Sequence, residues 1–138
     1  MRCPRGSVGA ILRRGGDVLV LYRKKIPKGL AGVAGHIDEG ELPQDALKRE
    51  LFEEAGVTAK AMKLVFHEVI ENNPCYAGSD SHEWWVYEVS KWDGEPRHRE
   101  RDQHEFVRFM TLAEIREYAE RNDIESAWVR IFTSAGIL

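Results

Sequence analysis

Three glutamates near the middle of the chain have the spacing of a cation-binding helix face. Glu50, Glu53 and Glu54 stand at positions i, i+3 and i+4, so an α-helix would present all three on one side. Like charges at that spacing destabilise a helix by roughly 0.2–0.5 kcal/mol per pair. A divalent cation turns the repulsion into chelation, and oxygen ligands favour Mg²⁺ or Mn²⁺. The spacing therefore predicts a magnesium site, with manganese as the other candidate metal.

Further charged groups surround this cluster. Arg49 lies beside Glu50 and one turn before Glu53, so it can orient a carboxylate and offset its charge. Another acidic group, Asp45, lies near the start of the predicted helix, and the loop before the helix carries Asp38, Glu39 and Glu41. The alternative interpretation is an acidic, solvated helix with no ligand.

The limits of this helix can be predicted from its flanking residues. Pro43 suits a first helical turn, where its missing N–H is not needed, and Gly56 suits a left-handed C-terminal cap. Leu42 is a poor N-cap, because it has no side-chain acceptor. The apolar stripe predicted to dock on a sheet consists of Leu47, Leu51 and Ala55.

The stretch from Gly35 to Val57 resembles the Nudix box, Gly-x5-Glu-x7-Arg-Glu-U-x-Glu-Glu-x-Gly-U, in which U is a bulky aliphatic residue. The matching residues are Gly35, Glu41, Arg49, Glu50, Leu51, Glu53, Glu54, Gly56 and Val57. The resemblance implies an α/β fold, an α/β/α sandwich with a mixed central sheet. It implies one Nudix hydrolase domain over residues 1–138.

The same resemblance implies magnesium-dependent hydrolysis of a nucleoside diphosphate linked to another moiety, by attack of water on phosphorus. The implied metal ligands are Glu50, Glu53, Glu54 and the carbonyl near Gly35. Glu53 or Glu105 is the expected general base. The resemblance also implies that a Glu shortly before the last strand can supply a further metal ligand, with Glu105 as the first candidate and Asp102 and Glu100 behind it. Arg49 is expected to orient the carboxylates, and Glu41 to support the loop.

Two other functions stay open at this point. One is a non-catalytic nucleotide-binding module with the same fold. The other is an enzyme similar to isopentenyl-diphosphate isomerase, which needs a catalytic cysteine that Cys75 is poorly placed to supply. The chain has Val33-Ala34-Gly35-His36 where the family commonly has Pro-Gly-Gly, so this loop does not predict which substrate is bound.

Basic and aromatic residues outside the box supply candidate substrate contacts. Arg23 leaves a predicted buried strand and is the preferred phosphate contact within a basic loop, Arg23 to Gly32. Arg97, Arg99 and Arg101 lie in a second loop, Ser90 to His104, and a solvated loop is the alternative in both cases. Neighbouring strand residues point to opposite faces, so we expect one of Trp84 and Trp85 in the core and the other stacked on a base.

Composition limits the class of protein. A length of 138 residues favours one domain, and a net charge of −3 with a pI near 6.0 argues against a general nucleic-acid binder. No apolar run is long enough to span a membrane. Cys3 and Cys75 form no metal motif, which favours a reduced, cytoplasmic setting. The expected partner is a small nucleotide, with no stable nucleic-acid complex; similar proteins often form homodimers.

Periodicity and turn residues predict the remaining elements. The predicted strands are Ser7–Leu12, Asp17–Tyr22, Val33–Gly35, Ala59–Glu71, His82–Val89 and Phe106–Met110. Asn72 to Ser81 is predicted to be a loop, in which Cys75 and Tyr76 border the site. Helices are predicted from Leu112 to Arg121, after a capping box at Thr111, and from Ser126 to Ala135.

Overall fold

A computed structural model of the chain describes residues 5–71 and 81–138. In chain order, its elements are β1 (Ser7–Ile11), β2 (Arg13–Arg14), β3 (Asp17–Arg23), β4 (Gly29–Ala31), β5 (Val33–His36), α1 (Pro43–Ala55), β6 (Thr58–Glu71), β7 (Ser81–Asp93), β8 (His104–Met110), α2 (Leu112–Glu120) and α3 (Ser126–Ser134).

Two sheets carry these strands. The first has the order β5-β1-β7-β6, in which β1 runs parallel to β7 and antiparallel to β5, and β6 runs antiparallel to β7. In the second, β3 pairs antiparallel with β2, β4 and β8. The mixed sheet follows from the long crossover between β1 and β7, since parallel neighbours cannot be joined by a tight turn.

Helices cover both faces of the first sheet. The apolar stripe of α1, formed by Leu47, Leu51 and Ala55, is fully buried, and this helix packs against β1 and β5. On the other face, the indole of Trp128 from α3 fits above Gly9, where a Cβ would collide with the ring. This arrangement confirms the predicted α/β/α fold with a mixed central sheet.

The ends of α1 and α2 follow their local sequence. Gly56 caps α1 with φ of 70°, and no side chain caps the helix at Leu42. Thr111 and Glu114 form the reciprocal capping box that opens α2. The predicted limits of both helices are therefore confirmed to within a residue.

Three predicted boundaries are wrong. Gly29–Ala31, predicted as loop, pairs with Leu21–Arg23 as β4, although it contains no β-branched residue. The aromatic strand continues to Asp93, and the last strand begins at His104 rather than Phe106. Long-range pairing decides these segments, and local propensity does not reveal it.

Two further predictions concern the alternation of β6 and the two cysteines. The alternation predicted for β6 is interrupted, because its register with β7 shifts between Leu64 and Phe66. Cys3, Cys75 and Tyr76 lie outside the described residues. Within the described ranges, every helix is too short or too polar to cross a membrane.

Candidate metal and phosphate site

Helix α1 brings two glutamates into a confined position below β5. The side chain of Glu54 is buried and accepts a hydrogen bond of 3.2 Å from the backbone N–H of Ala34. Burial, and then the neighbouring charge of Glu50, raise the pKa of Glu54 well above its usual range. Burial likewise raises the pKa of Glu50 to about 7, against the opposing effect of Arg49. Both carboxylates are therefore costly to ionise where they stand, and a bound cation would reduce that cost.

Arg49 connects this pair to the preceding loop. Its Nη1 donates to Glu50 Oε1 at 2.7 Å, and its Nε and Nη2 donate to the two oxygens of Glu41 at 3.0 and 2.9 Å. Nη2 also donates to the carbonyl of His36 at 2.9 Å. These bonds to Arg49 lower the pKa of Glu41. The guanidinium of Arg49 thus contacts both Glu50 and Glu41, and the Glu41 contact connects the loop to the helix.

Gly35 stands where the strand approaches this cluster most closely. A Cβ at this position would overlap the carboxylate carbon of Glu50. Only glycine leaves room for the Glu50 side chain beside the backbone of β5. The box residue predicted to offer a carbonyl therefore lies directly against a predicted metal ligand.

A third carboxylate, from the loop before β8, and a histidine at the first position of β8 complete the cluster. One ligand atom each from Glu54, Glu100 and His104 lie within 4.8 Å of one another. Nε2 of His104 is 3.5 Å from Glu54 Oε2, and its buried Nδ1 has no hydrogen-bond partner among the described residues. Burial, and then Arg23, lower the pKa of His104 to about 4, so the imidazole is neutral near pH 7. Oxygen and neutral nitrogen atoms in this arrangement are a set of donors suited to a divalent cation.

Glu105 does not join this cluster. Because β8 begins at His104, Glu105 lies within the strand and is exposed, while the neighbouring His104 is buried. The cleft that contains the cluster has a volume of about 300 Å³ and is lined by Arg23, Lys25, Glu50, Glu53, Glu54, Glu100, Gln103 and His104. The preference for Glu105 over Glu100 is therefore not supported by the geometry. His104 was not predicted as a site residue, and its position at the predicted loop end gave no signal.

Cationic residues border the cleft on one side. Arg23 lies at the end of β3, and its Nε donates to the carbonyl of Pro27 at 2.6 Å. This bond fixes the guanidinium beside the carboxylates, where its charge acts on Glu54 and His104. Lys25 lines the same cleft. The arrangement brings positive groups next to acidic ones, which suits a phosphate bound through a cation.

The arginines of the loop before β8 have other contacts. Arg99 Nη1 donates to the carbonyl of Phe52 at 2.9 Å, and its guanidinium lies 5.1 Å from the centre of the Phe52 ring. Arg97 lies beside Gly56. Both cations therefore lie at the carboxyl end of α1, where they complement the helix dipole. Neither lines the cleft, in contrast to Arg23.

The two tryptophans occupy opposite faces of β7, as predicted. Trp84 is only 6% exposed and meets Trp128 edge-on at 5.9 Å, so it belongs to the core. Trp85 stacks on His67 at 4.6 Å and borders a second cavity of about 800 Å³, beside Arg5 and Ile37. Neither lines the acidic cleft, and Trp85 borders the second cavity.

Comparisons with known proteins agree with the motif. The family model for the NUDIX domain matches residues 4–129 of this chain. The chain is 32% identical over 103 residues to the 8-oxo-dGTP diphosphatase of Escherichia coli (strain K12), covering 74% of this chain and 70% of that protein. It is 38% identical over 66 residues to the RNA pyrophosphohydrolase of Vibrio atlanticus (strain LGP32), covering 45% of this chain and 31% of that protein. This chain thus matches less than a third of the length of that relative.

A solved structure shows the same fold. The MutT NUDIX hydrolase from Burkholderia pseudomallei superposes with a TM-score of 0.71 at 28% sequence identity, covering 80% of this chain and 85% of that one. The family indicated by the box is therefore confirmed over nearly the whole chain. The chain belongs to the NUDIX domain family.

Proposed function

We propose that this chain is a magnesium-dependent pyrophosphohydrolase that hydrolyses a nucleoside diphosphate linked to another moiety. The observation that carries the proposal is the cleft in which the buried Glu54 lies with the partly buried Glu50 and Glu100, beside the cationic Arg23. Buried carboxylates held close together suit a divalent cation, and an adjacent guanidinium suits a phosphate. The names of the two relatives, a diphosphatase and a pyrophosphohydrolase, support the same class of reaction.

The family implies a divalent cation, and this chain's residues fit one. The glycine at position 35 leaves space against Glu50, and His104 keeps a buried nitrogen without a partner among the described residues. We assign the cation to Glu50, Glu54, Glu100, the imidazole of His104 and the carbonyl of Gly35. When bound, Mg²⁺ would neutralise phosphate oxygens and lower the pKa of an attacking water. Mn²⁺ would supply the same chemistry.

The chain's own side chains carry the other roles. Arg23 and Lys25 bind the phosphate oxygens and fix the substrate's orientation. Glu53 lines the cleft with its side chain half exposed and lies 3.5 Å from the guanidinium of Arg49, and we assign it the role of accepting the proton of a water. Arg49 keeps Glu50 pointed into the cleft.

The proposal also covers the number of domains, the cellular location and the kind of substrate. We assign residues 1–138 to a single domain acting in the cytoplasm on a small nucleotide. The net charge of −3 supports a free nucleotide over a stable complex with nucleic acid. Trp85, at the border of the second cavity, is the aromatic residue assigned to stack on the base.

The test is a substrate screen with Mg²⁺, Mn²⁺ or EDTA, read by the masses of the products. The panel contains oxidised purine nucleotides, ADP-ribose, nucleotide sugars, dinucleoside polyphosphates and capped RNA. We expect metal-dependent cleavage of a phosphoanhydride bond in at least one compound. Substitution Glu54→Gln should lower turnover on the order of a hundredfold or more, because it removes a charged ligand. Glu105→Gln is the matched control and should keep turnover, since Glu105 lies outside the cleft.

Three other results would contradict the proposal or its assigned site. Tight binding of a nucleotide without turnover would indicate a binding module. Isomerisation of a prenyl diphosphate, with no release of phosphate or of a nucleotide, would indicate an isomerase. Full activity of Glu54→Gln on a confirmed substrate would reject the assignment of the site.

A further inference from the structure

Strand β6 forms an outer edge of the first sheet. It is 14 residues long and pairs with β7 on one side, and no strand among the described residues pairs with its other side. At about 3.3 Å per residue its edge extends over roughly 45 Å. A long free edge offers a row of backbone N–H and C=O groups that can pair with another strand. The edge is thus a surface on which a partner strand could add.

Exposed apolar side chains are concentrated on this edge. Seven large apolar side chains are exposed among the described residues, and three of them lie on β6: Leu64, Val65 and Val69. Val65 and Phe66 also line a groove of about 220 Å³ between the strand and α3. Exposed apolar groups concentrated on one strand are typical of an interaction site.

The charges on β6 divide into two halves of opposite sign. Lys60 and Lys63 lie in the first half, and Glu68 and Glu71 lie in the second. A two-fold axis between Val65 and Phe66 would place Lys63 of one copy opposite Glu68 of the other. The strand is therefore complementary in charge to an antiparallel copy of itself.

The register with β7 shows that the central charges are on the correct face for this pairing. Lys63 lies opposite Glu88 and Glu68 lies opposite Trp84, and these two β7 residues are four positions apart. Side chains four positions apart on a strand share a face, so Lys63 and Glu68 point to the same side of the sheet. Directly opposed side chains in an antiparallel pair also share a face, which allows the two to meet across the axis.

Charged residues and bulges often protect an edge from pairing, and this edge has both. Charges of one sign along the strand would serve that purpose, because they would repel a second copy. Here the opposite signs attract a second copy in one register. The register with β7 shifts twice between Ala59 and Met62, and once between Leu64 and Phe66, next to the axis. The part of the edge available for this pairing is therefore Met62 to Val69, which contains Lys63 and Glu68.

We propose that β6 is the interface of a homodimer, in which two copies pair antiparallel about a two-fold axis between Val65 and Phe66. Leu64 packs against His67 of the second copy, and Lys63 forms an ion pair with its Glu68. Glu68 also contacts Arg130 within its own chain, so the carboxylate has a cation on each side. The interface is independent of the acidic cleft, and it goes beyond the proposed hydrolysis.

Charge reversal tests both the dimer and its register. Analytical ultracentrifugation over a range of concentrations should show a dimer for the natural sequence. Lys63→Glu and Glu68→Lys should each weaken the dimer roughly tenfold to a hundredfold, because two opposed pairs become like-charged. An equal mixture of the two variants should dimerise again, since each reversed residue then faces its complement. Native mass spectrometry would identify that species as the heterodimer.

Controls separate this result from unfolding and from a general effect of charge. Arg116→Glu makes the same change in net charge on α2 and should leave the dimer intact. Arg130→Gln removes the internal contact of Glu68 without reversing an edge charge, and should also leave it intact. Circular dichroism checks the fold of every variant. A natural sequence that stays monomeric, a dimer unaffected by Lys63→Glu, or a mixture that stays monomeric would each overturn the proposal.

Discussion

Because Glu50 is largely buried, we predict that its ionisation destabilises the folded protein at neutral pH until a cation binds. The pKa of this carboxyl is about 7 in the folded chain against 4.5 for the ordinary group, and its side chain is 15% exposed. At about 1.36 kcal/mol per pKa unit, ionising Glu50 costs the fold about 3 kcal/mol. Because the folded state holds this proton more tightly than the unfolded state, stability without metal falls as pH rises from 4.5 to 7.

Replacing this residue by an uncharged one of the same shape should remove that cost. In EDTA above pH 7, Glu50→Gln should be more stable than the natural sequence by about 3 kcal/mol, or roughly 10 °C in melting temperature. Added Mg²⁺ should stabilise the natural sequence and have little effect on the variant. The measurement is thermal unfolding as a function of pH, with and without the metal.

A matched variant tests whether burial of the carboxylate causes this destabilisation. Glu53→Gln makes the same charge change on the same helix, but its side chain is half exposed, so its stability without metal should differ little from that of the natural sequence. The reasoning is refuted if Glu50→Gln and the natural sequence unfold alike in EDTA at high pH. It is equally refuted if Mg²⁺ stabilises the two to the same extent.

Three further predictions concern neighbouring residues. Arg49→Lys should lower turnover by about tenfold or more, because an ammonium cannot replace the forked bonds to Glu41 and Glu50; unchanged steady-state kinetics would argue against this role. His104→Ala should weaken Mn²⁺ binding more than Mg²⁺ binding in calorimetry, since a nitrogen ligand favours Mn²⁺ over Mg²⁺. An equal loss of affinity for the two metals would exclude His104 as a ligand. Trp84→Ala should lower the free energy of unfolding by about 3–5 kcal/mol, with a much smaller effect for Trp85→Ala; chemical denaturation would reveal the reverse order if Trp85 were the core residue.

The part of the site that lies on α1 could be predicted from the sequence because its information is local. The spacing of Glu50, Glu53 and Glu54 fixes their common side as soon as the helix forms. Pro43 and Gly56 limit that helix through backbone geometry alone. The contact of Arg49 with Glu50 follows from the same spacing. A motif contained in one helix and one loop therefore transfers directly from sequence to structure.

The part contributed by β8 and its preceding loop could not be predicted. Whether Glu100 or Glu105 enters the cleft depends on the residue at which β8 begins, and that is set by pairing with β3. His104 has no distinguishing pattern, because its burial arises from contact with a helix fifty positions earlier in the chain. Likewise, alternation predicts opposite faces for Trp84 and Trp85 but not which face is covered by α3.

The most direct measurement of the central claim is anomalous diffraction from crystals soaked with Mn²⁺. We expect one or more peaks in the cleft, coordinated by Glu50, Glu54 and Glu100 next to the backbone of Gly35. Soaked crystals without a peak there, or with manganese held only at the exposed loop carboxylates Asp38 and Glu39, would contradict the assignment of this cleft as the metal site.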